Sequence, residues 1–358
     1  MTIAFISKIF IKKVWHSKNI FSVLLLPLSW LYIFFIRIRS LLYSIGFFSI
    51  TKINVPVIIV GNIVIGGSGK TPLVIWLSKY FKKKGHIPGI ISRGYGGTYS
   101  SDTQFVKPTS DPLLVGDEPV LIAKNTHCPV IVGKKRAKAA KELVEKHKCN
   151  LIISDDGIQH YSLARDIEIV VIDGEDPFGN CYCLPAGPCR EPKSKPFFSA
   201  DFIVNTYRGY SDIPHSALID HLEVTYNKLG LTVQPKTIMR YIYKELKSVM
   251  TPSKTLPISD LHGKTVHAVA GIHDPSHFFS YLRNHKFNLI IHQFSDHHIF
   301  TKEDIKFDDN FSVVMTEKDA VKCSKFSDSR HWYVPVDAEL TESFVDALDN
   351  YMEKILNG

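Results

Sequence analysis

Short apolar runs recur through the middle of the chain, at 57–60 (V-I-I-V), 87–91 (I-P-G-I-I), 130–132 (V-I-V), 151–154 (L-I-I-S), 167–172 (I-E-I-V-V-I) and 202–204 (F-I-V). Between several of them the apolar positions fall at helical spacing instead. Leu73, Trp76, Leu77, Tyr80 and Phe81 mark one helix that ends at Lys82–Gly85, and 118–126 and 134–147 mark two more. Runs that are apolar on both faces, alternating with helices, predict a parallel β-sheet covered on both sides.

From about residue 220 the pattern restarts. Strands are expected at 265–270, 289–294, 311–315 and 332–335, with polar residues gathered where they end. The sequence therefore reads as α/β: a parallel sheet covered by helices over 51–215, and a second, smaller α/β domain over 216–358 that closes over the first.

The first fifty residues differ. Eighteen uncharged residues lie between Lys18 and Arg37. As a helix they span roughly 27 Å, close to the hydrocarbon thickness of a bilayer. Pro27 falls inside the stretch and is expected to kink it. A tilted span and an element dipping into one leaflet both fit. Ahead of it, 3–15 mixes apolar residues with Lys8, Lys12 and Lys13, the pattern of a basic amphipathic helix on anionic lipid. A signal peptide is the competing reading, but no clear small-x-small cleavage site follows. The expectation is a retained membrane-anchoring helix within 1–50.

Charge supports this division. The net charge is +8, of which +6 falls in residues 1–50, where there is no Asp or Glu. A nucleic-acid binder would carry its basic patch in the folded body, so a membrane surface is expected and nucleic acid is not. The six cysteines include the close group Cys181, Cys183 and Cys189, but no His-x-His or second Cys-x-x-Cys completes a zinc pattern, which favours reduced thiols.

The chemistry centres on G-N-I-V-I-G-G-S-G-K-T-P at 61–72, between a predicted strand and a predicted helix. That is the P-loop arrangement, in which backbone N–H groups and a helix N-terminus cradle phosphate. Gly66, Gly67, Ser68, Gly69, Lys70 and Thr71 are the expected nucleotide contacts, with Lys70 on the β/γ-phosphates and Thr71 on Mg²⁺. Val64 stands where the general motif has its first glycine. Strand 151–154 runs into Asp155 and Asp156, the place of a metal-binding Walker B carboxylate; an ordinary Asp-Asp-Gly turn is the alternative. Gln159 follows closely. Asp117 and Glu118 open a helix, either as catalytic groups or as ordinary first-turn acids. Arg93, Arg136 and Arg190 each follow a loop signal, and arginine suits bidentate phosphate recognition. Asp296-His297-His298 places an imidazole beside a carboxylate, which fits a base or an orienting partner; surface histidines are the plainer reading.

Together these stretches resemble a family. V-G-N-I-V-I-G-G-S-G-K-T-P, S-R-G-Y-G-G, V-G-D-E-P, S-D-D-G-I-Q-H, L-P-A-G-P-C-R-E, A-G-I, F-S-D-H-H and T-E-K-D-A-V-K run in order from 55 to 322 and resemble the tetraacyldisaccharide 4'-kinases of lipid A biosynthesis. Val64 conforms to that family, and Cys189 stands where an aliphatic residue is expected. The resemblance implies that ATP phosphorylates the 4'-hydroxyl of tetraacyldisaccharide 1-phosphate to give lipid IVA. It implies Asp117 as catalytic base, paired with His297 across a domain cleft, with Lys70 and Thr71 on phosphates and Mg²⁺, and Asp155 and Asp156 serving the metal. Arg93, Glu118, Arg136, Gln159 and Arg190 are implied as substrate or phosphate contacts. It also implies an anchor in the bacterial inner membrane, with the catalytic body facing cytosolic ATP and the lipid as partner. No obligate protein partner is predicted. A hinge near 206–225 is expected to bring Asp117 and His297 together only on closure.

Three rivals use the same loop. A partitioning ATPase would carry an extra lysine in K-G-G-x-G-K, where this chain has Ile65. A kinase for another lipid or sugar differs only in its acceptor pocket. A non-catalytic adaptor has no need of intact Lys70, Thr71, Asp117 and Asp155.

Overall fold

A computed structural model describes residues 14–195, 199–209, 213–231 and 237–357. Eight strands come first: β1 (Val57–Gly61), β2 (Pro88–Ser92), β3 (Thr103–Val106), β4 (Val130–Gly133), β5 (Leu151–Asp155), β6 (Ile167–Asp173), β7 (Phe202–Tyr207) and β8 (Thr237–Tyr243). Six more follow: β9 (Leu246–Ser248), β10 (Thr255–Leu256), β11 (Thr265–Ala270), β12 (Asn288–Gln293), β13 (Ser312–Thr316) and β14 (His331–Val334). The last is β15 (Val336–Leu340).

The larger sheet has nine strands in the order β15-β8-β7-β6-β1-β5-β2-β4-β3. Its interior is parallel, and only the edge strands β3 and β15 run antiparallel to their neighbours. The alternation of side chains assigns the two faces. Ile58 and Val60 pack with Leu73, Leu77, Phe81, Val120 and Phe344 on one side. Val57 and Ile59 pack with Ala139, Leu143 and Tyr226 on the other. Every residue of β1 and β5 is buried, which is why these strands read as continuous apolar runs. Because β1 lies beside β5 with Val60 opposite Asp155, the phosphate loop and the Asp155–Asp156 corner leave the same edge of the sheet.

The smaller sheet has six strands in the order β10-β9-β14-β13-β11-β12. Its helix Ser276–Asn284 buries Phe278, Phe279 and Leu282. The second helix, Glu317–Cys323, lies against the helix Asp117–Thr126 of the larger unit, tied by Asn125 to Glu317 at 2.9 Å.

The division between the two units differs from the one expected. The helix His215–Lys228, β8, β15 and the helix Glu342–Asn357 all belong to the larger unit. The chain crosses out at Lys244–Glu245 and returns at Pro335, and these crossings touch, Lys244 N donating to Pro335 O at 3.3 Å. The boundary at 215/216 and the hinge at 206–225 are thereby corrected: those residues lie within one unit, save 210–212, which are outside the described residues. Alternating patterns marked the strands, but the late return of one strand and one helix to the first sheet has no local signature.

At the N-terminus, the helix Ile20–Leu24 gives way at Leu25 to a second, Leu26–Ser44. Pro27 sits in the first turn of the second helix, where its missing N–H costs nothing, so it starts a helix rather than kinking one. This 19-residue helix is long and apolar enough to cross a membrane. Ser29 turns inward and is buried, while Leu28, Trp30, Leu31, Phe34, Phe35 and Leu41 are exposed. An apolar face of that extent on the outside of a folded body suits a lipid surface. Residues 3–13 of the expected amphipathic segment lie outside the described residues.

Candidate active site

The loop between β1 and the helix Lys70–Lys83 is held from two sides. On one, Ile65 N donates to Pro188 O at 2.9 Å and Arg190 N to Ile63 O at 2.6 Å, so the L-P-A-G-P-C-R-E segment pairs with the loop's first half. On the other, Thr206 Oγ1 donates to Ser68 O at 2.9 Å. Gly69 has φ +90°, and a Cβ there would stand 2.9 Å from the Thr206 side chain. Glycine is required by both backbone and neighbour. Lys70 opens the helix, so its ammonium and the helix N-terminus act together.

Facing the loop is a cluster of carboxylates and cations. Asp156 receives Arg190 Nη1 at 3.0 Å and stands 3.6 Å from Lys70 Nζ. Burial works to raise its pKa, but Lys70 and Arg190 prevail and lower it. Asp155 is fully enclosed, and burial together with the negative charge of Glu118 raises its pKa. Ser92 Oγ donates to Asp155 Oδ2 at 3.2 Å, while Asp155 Oδ1 has no hydrogen-bond partner among the described residues. Arg136 is buried, donates from Nη2 to Asp155 O at 3.1 Å, and has its pKa lowered by burial to about 10. Gln159 donates to Asn62 O at 3.3 Å and accepts from Arg190 at 3.5 Å.

Oxygen donors fit a hard divalent cation such as Mg²⁺. The orphaned Asp155 oxygen and Asp156 would offer such donors, with Thr71 following Lys70 in the first turn of the helix. Among the described residues no three His, Cys, Asp or Glu group to hold a metal, so a cation would draw much of its shell from phosphate and water.

A second group stands at the interface of the two units. Gly116 takes φ +94°, where a Cβ would meet Tyr95 O at 2.9 Å, and this turn delivers Asp117 at the start of its helix. Asp117 is 4% exposed. Its Oδ2 accepts from His297 Nδ1 at 3.1 Å. The two residues are thus in contact in this structure, where the sequence led us to expect contact only after closure. Burial opposes the Asp117 charge, but the His297 bond with Lys318 and Lys322 outweighs it, lowering the pKa to about 2. The His297 pKa is raised, first by its bond to Asp117. His297 itself has φ +57°.

The structure therefore gathers Lys70, Asp155, Asp156, Arg136, Gln159 and Arg190 into one cluster, and Asp117, Glu118 and His297 into another. The charge of Glu118 acting on Asp155 connects them. Arg93 is exposed at the rim, its carbonyl accepting from Tyr99 Oη at 2.7 Å. His298 turns away to Asp304 at 3.1 Å. Sequence reasoning missed Lys318 and Lys322, which flank Asp117 at 3.9 and 3.8 Å. Their i, i+4 spacing in T-E-K-D-A-V-K was the available signal, since it puts both ammoniums on one helix face.

The helix Leu26–Ser44 also touches this site. Tyr32 Oη donates to Arg190 O at 3.1 Å and Arg39 to Gln159 O at 3.2 Å. Ser29 Oγ donates to Cys183 O at 2.6 Å and accepts from Ala186 N at 3.1 Å.

A loop of backbone amides at a helix N-terminus, with carboxylates on the next strand to hold a cation, defines a P-loop phosphotransferase. A buried carboxylate, Asp117, stands apart from it at the interface of the two units. The family model described as Tetraacyldisaccharide-1-P 4'-kinase matches residues 21–353, and the chain belongs to that family. It is 43% identical over 349 residues to the Tetraacyldisaccharide 4'-kinase of Methylobacillus flagellatus, covering 96% of this chain and 97% of that one. It is 41% identical over 331 residues to the same-named protein of Coxiella burnetii (strain RSA 331), covering 92% and 91%. The crystal structure of the "apo" form of LpxK from Aquifex aeolicus in complex with ATP superposes with a TM-score of 0.76 at 29% identity, over 93% of this chain and 99% of that one.

Proposed function

We propose that this chain transfers the γ-phosphoryl group of ATP to the 4'-hydroxyl of tetraacyldisaccharide 1-phosphate, giving lipid IVA. The observation that carries the residue assignment is the 3.1 Å contact of Asp117 with His297 at the interface of the two units. A sugar hydroxyl is a weak acid and needs a placed proton acceptor. Asp117 is that acceptor. Held ionised and low in pKa, it is a weak base, which suits a loose transition state in which the proton leaves late. His297 fixes the carboxylate and balances its charge.

On the donor side, the amides of Gly66, Gly67, Ser68 and Gly69 and the Lys70 ammonium hold the phosphates. Thr71, Asp155 and Asp156 hold Mg²⁺, which when bound neutralises charge building on the transferred group. Arg190 and Arg136 add positive charge at the same edge; Arg190 reaches phosphate by exchanging Asp156 for it. Arg93, Gln159 and Glu118 line the approach to the acceptor.

The four-chain acceptor stays in its leaflet, so its headgroup must be met at the surface. The exposed apolar face of Leu26–Ser44 supports attachment to the bacterial inner membrane, and the use of ATP puts the body on the cytoplasmic face. The test is label transfer from γ-labelled ATP with Mg²⁺ in detergent. Label entering tetraacyldisaccharide 1-phosphate but not diacylglycerol supports the reading. Label entering neither, with ATP bound, rejects it.

A further inference from the structure

Lys318 makes contacts that no structural role inside its own unit requires. Its ammonium lies 3.0 Å from Glu118 Oε1, 3.9 Å from Asp117 Oδ2 and 3.7 Å from Asp296 Oδ1. Two of these carboxylates belong to the larger unit, and the third precedes His297 in the smaller one. Its neighbour Lys322 differs. It pairs with Asp319 at 2.7 Å inside its own helix, and that carboxylate is fixed by Gly271 N at 2.8 Å and Thr316 Oγ1 at 2.6 Å. Lys322 is anchored within its own helix, whereas Lys318 reaches carboxylates on the elements around it.

Without Lys318, Lys322 would still reach Asp117 at 3.8 Å, but Glu118 and Asp296 would lose the ammonium between them, and repulsion across the interface would favour lifting the 295–298 loop away. His297 rides on that loop. Resting on the reading of Asp117 and His297 given above, we propose that Lys318 is a positioning residue for phosphoryl transfer: it bridges the carboxylates of both units and thereby holds His297 against Asp117. Among the described residues Asp117 is met by His297 from the loop after β12 and by Lys318 and Lys322 from the helix Glu317–Cys323, and these in turn meet Asp296, Asp319 and Glu118. From the helix Lys70–Lys83, Lys82 meets the far end, at Thr126 O, 3.2 Å away.

The test compares Lys318→Met and Lys318→Arg in the full-length protein, with kinetics and an NMR titration of the His297 ring assigned by His297→Gln. For Lys318→Met the expected result is a fall in kcat of about tenfold or more with KM for ATP little changed. The His297 pKa should fall toward its ordinary value as the pair opens. Lys318→Arg keeps the cation and should restore most of kcat and the His297 titration.

The sign of the titration change is decisive. Removing a like charge from an intact pair would raise the His297 pKa, so an upward shift, or none, overturns the proposal. So does unchanged kcat in Lys318→Met, or a loss in Lys318→Arg as large as in Lys318→Met. Asp117→Asn separates the two levels. If it abolishes transfer while Lys318→Met does not impair it, this inference alone fails. If Asp117→Asn transfers at the wild-type rate, the reading of Asp117 as base fails, and the inference with it.

Discussion

Tyr32, on the helix with the exposed apolar face, donates its hydroxyl to the backbone carbonyl of Arg190, whose guanidinium holds Asp156. The helix Leu26–Ser44 is therefore bonded to the segment that pairs with the phosphate loop. Ser29 bonds the same segment at Cys183 and Ala186. Removing residues 1–44 should abolish co-sedimentation with anionic vesicles, and it should also weaken ATP binding. Tyr32→Phe, which removes one hydrogen bond worth roughly 1 kcal/mol, should weaken ATP binding severalfold at most and leave vesicle binding intact. Calorimetric ATP binding alongside vesicle sedimentation checks both. Full ATP affinity in the truncated chain would reduce the helix to a tether.

The glycines of the phosphate loop should not be equivalent. Gly69 has φ +90° and faces Thr206, while a Cβ on Gly67 would meet nothing within 4 Å. An L-residue at Gly69 carries roughly 1–2 kcal/mol of backbone strain besides the clash. Gly69→Ala should lower ATP affinity at least tenfold and depress Tm, and Gly67→Ala should do neither to that extent. ATP titration of the two variants side by side decides it.

Much of the site was legible because the relevant residues are local in sequence. The phosphate loop, the Asp155–Asp156 corner at the end of β5 and the helix opening at Asp117 are each a short segment whose backbone pattern explains its chemistry. What was not legible depends on long-range return of the chain. The strand Val336–Leu340 and the helix Glu342–Asn357 pack on the first sheet, so the unit boundary falls at Lys244 and Pro335 rather than near 215. Lys318 lies 200 residues from Glu118, and only the fold makes the pair. Nothing in the apolar run around them singles out Ser29 and Tyr32, and their bonds to the body appear only once the fold is known.

Stability should depend on pH through His297. Its pKa is raised in the folded protein, first by the hydrogen bond to Asp117, against burial and the charge of Lys318. A raised folded pKa means that folding favours the protonated ring. The stabilisation is complete below the ordinary histidine value of about 6.5 and is lost as pH rises through the higher folded value. Asp117 behaves oppositely. With its folded pKa lowered to about 2, it contributes fully above its ordinary value, and that contribution goes only as pH falls through about 2. Of this pair, only His297 changes its contribution between about pH 6 and 9. The deficit in Tm of His297→Gln relative to wild type should be largest near pH 6 and shrink toward pH 9. A deficit that is constant across this range would show that the ring contributes packing alone.

In the proposed reaction Asp117 takes the acceptor's proton while a separate loop holds the nucleotide. The most direct measurement is a single-turnover transfer of label from γ-labelled ATP to tetraacyldisaccharide 1-phosphate by Asp117→Asn, with ATP affinity measured on the same preparation. Asparagine keeps the size and removes the base. The expected result is a transfer rate reduced by about a hundredfold or more, with ATP affinity within about twofold of wild type. Transfer near the wild-type rate, or a loss of ATP affinity matching the loss of rate, would contradict it.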